Sequence, residues 1–250
     1  MNVMKKELIV INTLVFKNYF DKGFTQDKFF SFVSNLGVKN IEIRREYIKD
    51  LSKELDLYRK LAKEMKLDIF YSVPDTMFKD GKLDKENLAK YFQEAKIINC
   101  KNIKFSIGDY KNFHSNLKEA LDQFLNYGIN LNIENDQTYE NGTSRNIIEF
   151  LTDCKAQRIN IGYVYDAGNW CWVNEDELEN ANLLKEFTTY VHLKDVKKTS
   201  QGNVTLPLDK GNIEWRKILD ILPKDTNVGL EYPCESVSVV EEGIEKLIKY

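Results

Sequence analysis

The chain has 250 residues, 42% hydrophobic and 30% charged, with 36 basic against 39 acidic side chains and a net charge of -3. That balance excludes a disordered or fibrous chain and argues against nucleic acid as the main partner. With only 2 histidines and 4 cysteines, a histidine-rich zinc cluster and a disulfide scaffold are excluded as well.

The opening MNVMKKELIVINTLVF puts charge before an apolar stretch, as a signal peptide does. The stretch is short, rich in β-branched residues and without a small-x-small cleavage site, so a first buried strand over 7–16 is expected instead. Further strands are expected at 38–44, 67–73, 101–107, 129–134, 160–166, 189–195 and 227–232, each a compact β-branched or aromatic run. Amphipathic helices are expected between them, at 47–65, 85–98, 116–128, 144–156, 174–187, 213–222 and 236–250. In 85–98, Leu88, Phe92, Ala95 and Ile98 fall on one face; Gly128 marks a helix stop, and Ser236 is placed to cap the last helix. Cys100, Cys154, Cys171 and Cys234 form no CxxC pair and read as buried thiols. No apolar run reaches the roughly 18 residues of a membrane span, which leaves a cytoplasmic protein as the expectation.

Strand starts recur at roughly the 30-residue interval of a βα unit. Eight such units imply parallel pairing with right-handed crossovers, and a closed (β/α)8 barrel forming a single domain over 1–250. The rival, an open doubly wound sheet, carries a glycine-rich turn after its first strand; here that turn reads KNYFDKGF.

Active sites of such barrels form at the C-terminal ends of the strands. Four successive strands end in or carry a metal-binding side chain: Glu134 in NIEN, Asp166 in YVYD, His192 in YVHLKD and Glu231 in GLEYP. Three carboxylates and one imidazole make a hard, oxygen-rich set that suits Mn²⁺, Mg²⁺ or Co²⁺ better than structural Zn²⁺. Lys194 shares the inward face of His192 by alternation, with a snorkelling surface lysine as the other reading. Asp195 points the opposite way, where it can orient a neighbouring loop. Trp170, Trp172, Phe105 and Tyr71 lie near strand ends, either as pocket walls or as ordinary packing. The segment 196–212, with Lys197, Lys198, Thr199 and Ser200, is long for a βα loop and suggests a lid or a phosphate site.

In their joint order, the segments IEIR (41–44), NIEN (132–135), YDAGN (165–169), HLKD (192–195), PLDKGNIEW (207–215) and GLEYP (229–233) resemble the xylose isomerase-like TIM barrel superfamily of sugar phosphate isomerases and epimerases. The resemblance runs from strand 2 to strand 8. It implies one divalent ion (Mn favoured among Mn, Co, Mg and Zn) held by Glu134, Asp166, His192 and Glu231. It further implies that Glu134 and Glu231 flank the substrate carbon and exchange its proton. Substrate contacts are implied for Glu42, Arg44, Glu140 and Lys198, and Asn135, Asn169 and Lys194 are expected to hold sugar hydroxyls. Two positions depart from the epimerase pattern: Asn169 stands where a histidine is usual, and Lys198 where an arginine is usual.

The function expected from this is a divalent-metal-dependent sugar or sugar phosphate isomerase or epimerase working through an enediolate, a role in carbohydrate metabolism. The alternatives are a metal-dependent dehydratase or lyase acting on a polyol-like acid, and a metal- and sugar-binding barrel without turnover. An abasic-site endonuclease is disfavoured, because it needs several more histidines and His114 alone remains, in a loop. The expected partner is a small sugar, with no nucleic acid and no membrane; self-association stays open.

Overall fold

Strict alternation within short strands sets the architecture. The computed structural model describes residues 4–250. Eight parallel strands close into a barrel: β1 (Ile9–Asn12), β2 (Asn40–Arg44), β3 (Asp68–Lys79), β5 (Asn102–Gly108), β6 (Asn130–Glu134), β7 (Gly162–Asp166), β8 (Thr188–Leu193) and β11 (Asn227–Leu230). Each pairs with the next, and β11 returns to β1. Ile9, Ile11, Ile41, Ile43, Ile103 and Ile133 are buried in the continuous core shared with the helices. Residues of the other parity face inward. Val10, Phe70, Val164 and Tyr190 form a small separate apolar cluster there, and the polar residues that follow them along the strands are lifted to the C-terminal end.

The main outer helices are α3 (Leu51–Met65), α4 (Lys85–Ile97), α5 (Leu117–Leu125), α7 (Ser144–Ala156), α9 (Glu177–Leu184), α10 (Trp215–Ile221) and α11 (Val237–Ile248), with short α1 (Lys17–Phe20), α2 (Phe30–Asn35), α6 (Tyr139–Gly142) and α8 (Trp170–Val173) in the loops. Leu88, Phe92, Ala95 and Ile98 are all buried, as their spacing predicts. Asp84, Asn116 and Asp176 cap α4, α5 and α9 by accepting backbone N–H bonds that the first turns leave free. Ser236 precedes α11, but its hydroxyl pairs with that of Ser238 at 2.7 Å and caps nothing.

Several boundaries differ from the sequence reading for identifiable reasons. The first strand stops at Asn12, because the Asn12 side chain accepts from the Leu14 N–H at 2.9 Å and turns the chain into a short 3₁₀ segment. The third strand runs on to Lys79 and folds back antiparallel against β4 (Lys82–Leu83). The helix expected at 174–187 is shorter, α9 (Glu177–Leu184), and is preceded by the short α8 (Trp170–Val173), which ends at Asn174 in the left-handed region at φ 57. The segment after β8 forms an antiparallel hairpin, β9 (Asp195–Thr199) and β10 (Gly202–Leu206). No helix among the described residues is long and apolar enough to cross a membrane.

Candidate metal centre at the barrel mouth

Glu134, Asp166, His192 and Glu231 meet at the C-terminal end of the barrel, each offering one ligand atom within 4.8 Å of all the others. Adjacent strands hold them in register, with Asp166 opposite His192 across the β7–β8 pair. His192 Nδ1 lies 2.6 Å from Glu134 Oε1 and 3.3 Å from Glu231 Oε2. Glu134 Oε1, Asp166 Oδ2 and His192 Nδ1 are fully buried and make no aligned hydrogen bond. Buried polar atoms normally make aligned hydrogen bonds, so three converging ligand-type atoms that make none, although close to Lys194 or to one another, fit a divalent cation.

The outer atoms of the same side chains are all engaged. Asp166 Oδ1 accepts the N–H groups of Gly168 and Asn169 at 2.9 and 3.0 Å. Glu231 Oε1 accepts from Asn12 Nδ2 at 3.1 Å and Arg44 Nη1 at 2.6 Å. Glu134 Oε2 is held by the Lys104 ammonium. His192 Nε2 stands 2.7 Å from Glu42 Oε2, which also accepts from the Tyr190 hydroxyl at 2.6 Å. If Nε2 carries the proton that Glu42 accepts, the lone pair falls on Nδ1, facing the other three ligands. Gly229 on β11 makes this layer possible, since a Cβ there would come within 2.5 Å of the Tyr190 hydroxyl and 2.9 Å of His192 Cδ2.

Electrostatics tie the cluster together. Burial alone would lower the pKa of His192, but Glu42, Glu231 and Glu134 outweigh it and raise it well above the usual value. The cluster therefore needs a positive charge at its centre, from a proton or a metal ion. Burial would raise Glu134, yet Lys104 and His192 hold it down at about 2. Glu231 is likewise lowered, by His192 and Lys194 against its own burial. Asp166 goes the other way: burial lifts it to about 7 although the Lys194 ammonium stands 2.6 Å from Oδ2.

Above the cluster opens a cavity of about 430 Å³. Of the residues expected to touch substrate, Arg44, Asn169 and Lys194 line it together with Glu134 and Glu231. Lys194 is buried against Asp166 and does not snorkel. Four expectations are displaced. Glu42 lies beneath His192, off the cavity. Asn135 is fully buried and spends its side chain clamping β6 to β7, through Asp166 O at 3.0 Å, Asp166 N at 2.9 Å and the Tyr163 hydroxyl at 2.7 Å. Glu140 is exposed on α6 and borders a separate crevice with Tyr110 and Lys111. The loop after β6 brings Asp136, Gln137 and Thr138 to the cavity instead, because Asp136 accepts from the Thr138 N–H and tightens the turn. Lys198 is exposed on the β9–β10 hairpin, which carries it away from the cavity.

Among the aromatics, Phe105 lines the cavity, whereas the Tyr71 hydroxyl is buried against Glu94 at 2.6 Å. Asp195 does orient the neighbouring loop, accepting N–H bonds from Val196, Gly211 and Ile213 at 2.8–2.9 Å. His114 is exposed. Sequence reasoning missed Lys104, Ser72, Thr76 and Ser106. The signal for Lys104 and Ser106 was present: Asn102, Lys104 and Ser106 are polar at every second position of an otherwise apolar strand.

A model of the xylose isomerase-like TIM barrel family matches residues 15–250. Among solved structures, a xylose isomerase domain containing protein from Salmonella typhimurium superposes with TM-score 0.76 at 16% identity, covering 100% of this chain and 98% of its own. The probable 3-DHS dehydratase AsbF from Bacillus anthracis gives 0.75 at 14%, with 96% and 98% covered. A D-allulose 3-epimerase from Methylomonas gives 0.64 at 16%, with 98% and 92% covered. No curated protein matches the sequence.

Proposed function

The chain belongs to the xylose isomerase-like TIM barrel family, and from that premise we propose that it is a divalent-metal-dependent sugar isomerase or epimerase that moves a proton beside a carbonyl. The observation that carries this reading is the convergence of four ligand-type side chains, Glu134, Asp166, His192 and Glu231, at the floor of a polar cavity, three of them with a buried ligand atom that makes no aligned hydrogen bond. Glu134, Asp166, His192 and Glu231 would hold the ion, with Mn²⁺ favoured over Mg²⁺, Co²⁺ or Zn²⁺ for an oxygen-rich donor set. When bound there, such an ion supplies Lewis-acid polarisation of a carbonyl.

The protein groups account for the rest. Glu134 and Glu231 both border the cavity, on either side of His192, so one carboxylate can take the proton from the carbon beside the carbonyl and the other can return one. The Lys104 ammonium keeps Glu134 ionised, as a base must be. Arg44, Lys104 and Lys194 gather positive charge where an enediolate would develop its negative charge. Lys194 and Asn169 line the cavity, within reach of substrate hydroxyls. The fold is shared by a dehydratase and an epimerase, so the fold by itself selects neither reaction.

Hydrogen exchange tests the proposal. A panel of ketoses and aldoses incubated with the Mn²⁺-loaded protein in D₂O should show solvent deuterium entering the carbon next to the carbonyl, with no change in composition apart from the label. Glu134→Gln and Glu231→Gln should each abolish that uptake, with bound metal measured in parallel. Full exchange in either variant removes the two-glutamate scheme. Loss of water from the substrate replaces the reading with a dehydratase.

A further inference from the structure

The walls of the cavity differ in chemistry from its floor. Arg44, Lys104 and Lys194 stand at the floor, and each is already held by a carboxylate of the cluster: Arg44 by Glu231 at 2.6 Å, Lys104 by Glu134, and Lys194 by Asp166 at 2.6 Å. The far wall, built by the ends of β3 and β5 and the loop after β6, presents the hydroxyls of Ser72, Thr76, Ser106 and Thr138 and the carboxylates of Asp75 and Asp136. Lys79 pairs with Asp75 at 3.0 Å and also with Asp84 at 2.9 Å. Asp136 is bonded only by neutral groups, namely Ser106, Thr138 and Asn141, and among the described residues no lysine or arginine pairs with it.

Two backbone donors of this wall are also spent. The Thr76 N–H donates to Asp75 Oδ1 at 2.8 Å and the Thr138 N–H to Asp136 Oδ1 at 2.7 Å. Anion sites in loops are built from free backbone N–H groups and cations, and these two N–H groups and the three cations are committed to the protein's own carboxylates. The lysines that the sequence offered for a phosphate, Lys197 and Lys198, are exposed on the hairpin and do not line the cavity. What remains is a wall rich in acceptors. Carboxylates accept only, and a hydroxyl that donates inward, as Ser106 does to Asp136, turns its lone pairs outward. Sugar hydroxyls can donate to such a wall. A phosphate dianion brings acceptors to acceptors, and negative charge to an unbalanced carboxylate.

We propose that the substrate is an unphosphorylated polyhydroxy aldehyde or ketone, and that Asp136 discriminates against a terminal phosphate. The inference rests on the proton-transfer reading for its orientation: the carbonyl end lies over the cluster and the polyol tail runs along the far wall.

The test titrates the Mn²⁺-loaded protein calorimetrically with D-fructose, D-ribulose and D-xylulose and with their terminal phosphate esters. At least one free sugar should bind tenfold or more tightly than its ester. Asp136→Asn should narrow that ratio by strengthening the ester, whereas Asp75→Asn, whose carboxylate already has the Lys79 ammonium beside it, should move it less. If Asp136→Asn does not fold, the wild-type ratio alone decides. An ester that binds as tightly as its free sugar, or failure of every free sugar to bind, overturns the proposal. Deuterium uptake is followed on the same samples. Selective binding of a free sugar without exchange defeats the proton-transfer reading and upholds the specificity; exchange with preference for an ester does the reverse.

Discussion

Glu42 shows how much a residue's place in a strand matters. It shares the inward parity of Arg44 on β2, yet one layer deeper, and that single step turns a candidate substrate contact into a support for His192. Partners of this kind orient a ligating imidazole, and their loss typically weakens metal binding by about 10–100-fold. Glu42→Leu should therefore lower Mn²⁺ affinity of the apo-protein by about that factor, read by calorimetry. Glu42→Gln, which keeps an acceptor for the His192 N–H, should retain most of it. A Glu42→Leu protein that is folded by circular dichroism and binds Mn²⁺ as tightly as wild type would show that His192 is oriented without Glu42. The four metal-ligand candidates were legible in the sequence because each closes or punctuates an apolar strand, and barrels of this class use strand ends. For Lys104 only the polar alternation was legible; its role was not, because it lies four residues before the end of β5, where a charged side chain is tolerated only with the buried carboxylate that the folded barrel brings to it.

At the scale of elements, β11 carries the tightest constraint. Gly229 faces Tyr190 and His192 of the adjacent strand, and any side chain there collides with the layer beneath the cluster. Gly229→Ala should destabilise the fold by about 1–3 kcal/mol through overpacking, visible as a lower denaturant midpoint. It should also weaken Mn²⁺ binding, since the Tyr190 hydroxyl is displaced from Glu42. A variant of unchanged midpoint and affinity would mean that β8 can shift to make room. All eight barrel strands could be placed from the sequence because each is a β-branched or aromatic run between helical patterns. The β9–β10 hairpin could not. Lys197, Lys198, Thr199, Ser200 and Gln201 are polar and exposed, and the segment is fixed from outside by Asp195, which binds the N–H groups of Gly211 and Ile213, and by Asn203, which donates to Cys171 O at 2.9 Å. Long-range bonds of that kind leave no periodic trace. The early end of β1 is a similar case, decided by the Asn12 side chain bonding the Leu14 N–H.

At the scale of the whole molecule, the barrel is closed by the pairing of β11 with β1, and the outer helices are tied to one another as well; Asp209 links α10 to α11. Its carboxylate accepts from Trp215 Nε1 at 3.0 Å and from Arg216 at 2.6 and 3.1 Å, and Lys246 of α11 lies 3.5 Å away. The Arg216 guanidinium stacks over the Trp215 ring at 4.0 Å. The hydrogen bond from Arg216 is the main reason that the Asp209 pKa is lowered from 3.8 to about 2. A carboxylate lowered in the folded state stabilises it when ionised, so its contribution is full above pH about 4 and is lost as pH falls toward 2. Asp209 is 35% exposed, so solvent screening limits that contribution to about 1 kcal/mol or less. Asp209→Asn isolates the charge, because asparagine tolerates the left-handed backbone that Asp209 adopts at φ 66. Urea unfolding at pH 6 should find the variant less stable than wild type, and at pH 3 the difference should shrink. A difference that is equal at both pH values would assign the effect to the neutral hydrogen bond from Trp215, with the ion pair to Arg216 contributing nothing.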